Sequence, residues 1–124
     1  MPKIQLPLRL GRTFQVWSYD VSHSVLLLRS NRTGENSTRV DLMFRGVAEL
    51  QVRSQMKELS IDLAEGKGPD AGGRYTFEVK DAGWRGYVVA RALHFAEDDL
   101  SYGEPSTIDN RDVAAHVLSS GYWE

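Results

Sequence analysis

Asp20, Ser22, His23 and Ser24 bring the three residue types of a hydrolase triad into five consecutive positions. A histidine held by a carboxylate can draw a proton from a hydroxyl and so make a nucleophile. Triad members normally converge from distant parts of a chain, however, and the sequence has no Gly-x-Ser-x-Gly elbow. The stretch is read instead as a polar turn in which Asp and Ser side chains cap nearby backbone N–H groups. The three histidines, His23, His94 and His116, stand too far apart in sequence for a metal-ligand spacing, and there is no cysteine to supply a thiolate. No metal and no cofactor is expected, and no catalytic residue is assigned. His94 to Asp99 could offer carboxylates to a cation, but the Asp-x-Asp-x-Asn-Gly spacing of a calcium loop is missing, so Glu97-Asp98-Asp99 reads as a solvated acidic strand end. Gly66-Lys67-Gly68 lacks the full phosphate-loop pattern and reads as a linker.

A second set of residues points to binding rather than catalysis. Arg29, Arg32, Arg39, Arg45 and Arg53 fall on or beside neighbouring strand segments, with Trp17 and Tyr19 close in sequence. Together they could form a basic-aromatic surface for bases or for an acidic protein. Cross-strand pairing of the arginines with Asp41, Glu49 and Asp62 is the simpler alternative. The chain carries 15 Lys and Arg against 17 Asp and Glu, a net charge of −2, which disfavours a general nucleic-acid binder. The binding candidates are Trp17, Tyr19, His23, Arg29, Arg39, Asp41 and Arg45.

The elements that must position these residues follow a period of two. In Thr38 to Arg45, Val40, Leu42 and Phe44 alternate with Arg39, Asp41, Met43 and Arg45. That is the pattern of an antiparallel strand with one face on a core and the other toward water. Phe14–Tyr19 reads as a strand, and Ser24–Ser30, apolar on both faces, as a central one. Residues 1–12, interrupted by Pro2 and Pro7, form an edge strand or lead-in. Ala48–Arg53 and Leu59–Ala64 read as a hairpin closed by 54–57. Residues 65–73, with four glycines and a proline, make a flexible loop. Tyr75–Lys80 is another strand, and Asp81-Ala82-Gly83 a hairpin loop with Gly83 left-handed. Trp84–Phe95 returns as one long strand bent near Gly86. Residues 97–124 are irregular, with a short helix over 109–118 that Ser119-Ser120-Gly121 would end.

The whole is read as a single mainly β domain, 1–124: an antiparallel sandwich or partly closed barrel of about seven strands, with that short C-terminal helix. The longest apolar runs are far below the roughly 20 residues of a membrane span, and the N-terminus has no signal-peptide apolar region, so a cytoplasmic protein is expected. Ser22–Ser30, a polar loop and Thr38–Leu42 resemble small bacterial β domains, which transfers no residue role. Two functions remain. One is a non-enzymatic interaction domain with a protein partner, self (as a homodimer) or heterologous, of the immunity-protein or assembly-partner kind. The other is a small-ligand site or enzyme in a barrel mouth using His23 or His94 with a carboxylate.

Overall fold

The computed structural model describes residues 2–66 and 68–124; Met1 and Lys67, the latter counted above in the 65–73 linker, lie outside the described residues. Two antiparallel sheets stack as a sandwich and do not close into a barrel. The first contains five strands in the order β1 (Leu8–Arg9), β7 (Ser60–Leu63), β8 (Tyr75–Lys80), β9 (Arg85–Ala90) and β5 (Glu49–Gln51). The second contains six, in the order β11 (Val117–Trp123), β10 (Ala92–Asp98), β4 (Arg39–Arg45), β3 (Val25–Ser30), β2 (Phe14–Asp20) and β6 (Gln55–Met56). The inward parity of each strand supplies the core: Phe14, Leu26, Leu28, Leu42 and Phe44 from one sheet meet Ile61, Phe77, Val79 and Val88 from the other. Trp84 and Trp123 pack against this core, Trp123 standing edge-on to Tyr75 and Phe77.

Several expected connections are redrawn. Residues 48–53 and 59–64 do not form a hairpin. β5 pairs with β9 and is exposed throughout, β7 pairs with β1 and β8, and the intervening residues cross to the other sheet as β6. Alternation in two neighbouring segments shows that each is half-buried and leaves their pairing undetermined. Trp84–Phe95 is two strands in different sheets, and the break is at Arg91 rather than Gly86. Gly86 stays inside β9 because a Cβ there would overlap the Gln51 carbonyl and the Trp84 ring. Gly83 is not left-handed; the turn is closed instead by Asp81, whose carboxylate accepts from Gly83 N at 2.9 Å. Gly46, at φ +65°, is the residue that turns the chain out of β4 toward the other sheet.

The C-terminal segment holds the largest departures. A 3₁₀ helix spans Arg111–His116, capped by Asn110, whose side chain accepts from Asp112 N. Ser119 to Gly121 do not end it as expected; they lie within β11, which pairs with β10. Between β10 and β11 the chain makes a long excursion whose ends meet, Asp99 N donating to the His116 carbonyl at 3.3 Å and Asp99 Oδ1 lying 2.8 Å from His116 Nδ1. This Ω-type loop, 100–115, lies over part of the outer face of the six-stranded sheet.

Candidate functional site

The outer face of the six-stranded sheet is laid down by the parity opposite to the core. Across it run the register pairs Arg29↔Asp41, Leu27↔Met43, Arg39↔Asp98, Asp41↔Ala96, Met43↔His94 and Arg45↔Ala92. The expectation that Arg39 and Asp41 face water is overturned: both are fully buried, as are Arg29 (2% exposed) and Asp98. The parity was right, but the Ω loop roofs that end of the face. The same burial overturns the solvated acidic end for Asp98.

Under the roof the charges are paired. Arg29 makes a two-pronged contact with Asp41, at 2.7 and 3.1 Å, and its remaining Nη1 donates to the Glu104 carbonyl. Arg39 holds Asp98 at 3.0 to 3.3 Å and donates to the carbonyls of Glu104, at 2.6 Å, and Pro105, at 2.7 Å. Asp98 also accepts from Leu100 N. Every nitrogen of the two guanidinium groups donates at least one hydrogen bond, which is the condition under which buried charge is tolerated. Trp17, the extra residue of a bulge in β2, lies 4.7 Å from the Arg29 guanidinium and edge-on to Tyr102 of the loop, at 5.2 Å. The structure thus brings Trp17, Arg29, Arg39 and Asp41 together as the anchor of the loop, and leaves Tyr19, His23 and Arg45 outside it.

Beyond the loop the face is open. Ser18, Asp20, His23, Val25, Leu27, Met43 and Arg45 line a shallow concavity of about 450 Å³. Its floor is apolar, Val25, Leu27 and Met43, and its rim is charged. Asp20 accepts from Ser22 N and Oγ, at 3.0 and 2.8 Å, and its second oxygen lies 2.8 Å from His23 Nδ1. These contacts, the Ser22 hydroxyl first, hold the Asp20 carboxyl down to about 2. Ser22 Oγ also meets Nδ1, at 3.1 Å, the same nitrogen that faces Asp20. A triad needs the hydroxyl on Nε2, so this is the capped turn expected from the sequence.

His94 lies beside Met43, half-buried, and its Nδ1 has no hydrogen-bond partner among the described residues. Burial holds its imidazole below the usual histidine value, with Arg45 adding to the effect and Asp109 and Glu124 opposing it. The neutral form is therefore the one the fold favours. Stability from this residue is present above the ordinary histidine value, about 6.5, and is lost as pH falls below it. Urea midpoints measured from pH 7.5 to pH 5 should fall more for the wild-type protein than for His94→Gln; parallel curves would show that His94 contributes nothing.

Two other concavities are polar-lined. One of about 530 Å³ on the outer face of the five-stranded sheet is lined by Glu49, Glu78, Arg85 and Tyr87, with Tyr87 donating to Glu49 at 2.6 Å. A polar one of about 300 Å³ lies beside Arg12, whose guanidinium is taken up by Ser30 and Thr38. No group of three or more potential metal-ligating side chains occurs among the described residues, nor any helix long and apolar enough to cross a membrane.

Sequence reasoning missed Asp98, the Glu104 and Pro105 carbonyls and Asp109. One signal was present: Ala92 and Ala96 occupy outward positions of β10, both are buried, and small residues on an outward parity leave room for a covering segment. Comparison with family models, with curated proteins and with solved structures finds no match to this chain.

Proposed function

We propose that the protein is a non-enzymatic binding domain, of the immunity-protein or assembly-partner kind and acting in the cytoplasm, that docks a heterologous protein on the open end of the outer face of the six-stranded sheet. The observation that carries this reading is the concavity beside the Ω loop: an apolar floor of Val25, Leu27 and Met43 between charged ends, Asp20 with His23 on one side and Arg45 on the other. An apolar centre with a polar rim is the anatomy of a protein interface. Val21 (79% exposed) projects from the tip of the adjoining hairpin, whereas Tyr19, paired with Leu26, lies on the core-side parity and is not part of this face.

A small-ligand or enzymatic reading would use the Asp20–His23 pair at the same rim. Both side chains are more than half exposed, so the pair lacks the dry surroundings that strengthen such chemistry. A benzophenone amino acid replacing Val25, photolysed in an extract of the producing organism, is expected to give one discrete protein adduct. The same label replacing Thr76, on the opposite sheet, should give none. No adduct, or the same adducts from both positions, would overturn the reading; a homodimeric adduct would assign the partner as a second copy.

A further inference from the structure

The Ω loop is fastened unequally along its length. Its first half is tied down at Glu104 and Pro105 by carbonyls that accept from buried guanidinium groups at 2.6 to 3.1 Å. Such charge-assisted bonds are stronger than neutral ones. The next stretch, Ser106–Asn110, is held differently. Its ion pair to the sheet, Asp109 with Arg45, has side chains 58% and 36% exposed, a setting in which ion pairs contribute little. Asp109 sits at φ +56°, a left-handed conformation that non-glycine residues rarely adopt. Thr107 and Ile108 are buried, yet Thr107 Oγ1 has no hydrogen-bond partner among the described residues, and neither has Nδ1 of His94, which feels the Asp109 charge. Each such orphan weakens the closed arrangement.

Arg45 joins this stretch to the open concavity, because it both lines the concavity and receives Asp109. We propose that Ser106–Asn110 is a displaceable strap that occupies the end of the binding face in cis, and that the partner presents the same chemistry in trans: an extended segment with an apolar side chain followed by a carboxylate, as in Ile108-Asp109. The partner's carboxylate takes Arg45 from Asp109, and its apolar side chain extends the contact with the Leu27–Met43 floor. The buried Arg–Asp pairs act as the hinge, holding the first half of the loop while the strap lifts.

The proposal rests on the binding face described above and is tested separately from it. Amide hydrogen exchange of the wild-type protein should show Ile108 exchanging roughly tenfold or more faster than Leu100. Equal protection would overturn the strap while leaving cross-linking at position 25 free to succeed. A synthetic peptide of residues 103–110, titrated into Asp109→Ala, should shift the NMR signals of Val25, Met43 and Arg45. It should bind the wild-type protein about fivefold more weakly, because the tethered strap competes at high effective concentration. Adding Arg45→Ala should weaken peptide binding about two- to fivefold, the worth of an exposed ion pair. No shift in Asp109→Ala, or binding indifferent to Arg45, would overturn the proposal. Dimerisation of Asp109→Ala in sedimentation would put a second copy's strap on the face and overturn the heterologous occupant.

Discussion

Truncating Asp98 to alanine is expected to cost about 3–5 kcal/mol of unfolding free energy. Both Asp98 and its partner Arg39 have fully buried side chains. Removing the carboxylate leaves the guanidinium in a dry site with only carbonyl dipoles to face it, and the Leu100 N–H loses its acceptor. The loss is that of an uncompensated buried charge, which exceeds the net worth of the pair. Replacing both residues by apolar ones of similar volume, Arg39→Met with Asp98→Leu, should therefore recover most of it. Urea unfolding of the two single variants and the double variant gives the coupling directly. A loss below about 1 kcal/mol in Asp98→Ala, the range of an exposed ion pair, would show that water reaches the pair.

The second large effect lies on the other face of the same sheet. Phe44→Ala should cost about 3–5 kcal/mol, because the ring is fully buried and stands edge-to-face with Phe77 at 5.5 Å between centroids. Its neighbour Arg45 points outward at the open end, where it pairs with the exposed Asp109 carboxylate, so Arg45→Ala should change stability by no more than about 0.5 kcal/mol. Comparable losses at the two positions in urea unfolding would mean that Arg45 is as enclosed as Arg39.

These contrasts show what alternation can and cannot report. Val40, Leu42 and Phe44 were placed on the core, and they are there; Arg39, Asp41 and Arg45 were placed on the opposite face, and they are there. The period of two states which residues share a face and carries no information about what covers it. The roof over Arg39 and Asp41 comes from a segment some sixty residues later, with no regular period of its own until the 3₁₀ helix. Pairing was lost for a related reason: β5 and β7 are close in sequence and similar in pattern, yet their partners are chosen by packing of the whole sandwich. The basic-aromatic cluster was legible as residue types, and the cross-strand pairing of Arg29 with Asp41 was among the expected alternatives. What divided His23 and Arg45 from Trp17, Arg29, Arg39 and Asp41 was the path of one loop.

The two buried pairs also bear on how the strands find their alignment. Slipping a strand by two residues keeps every side chain on its proper face, so the hydrophobic pattern alone opposes it weakly. Here the charges oppose it. In the native alignment Arg29 stands across from Asp41 and Arg39 across from Asp98. A two-residue slip of β3 against β4 in one direction sets Arg29 opposite Arg39, and in the other sets it opposite Met43. For β4 against β10, one direction sets Asp41 opposite Asp98, and the other sets Arg39 opposite Ala96. Each slip sets like charges face to face or leaves a charge without a partner beneath the loop, and both are penalised. The quartet thus works as a molecular ruler, making one alignment of the three central strands the only one the loop can close over.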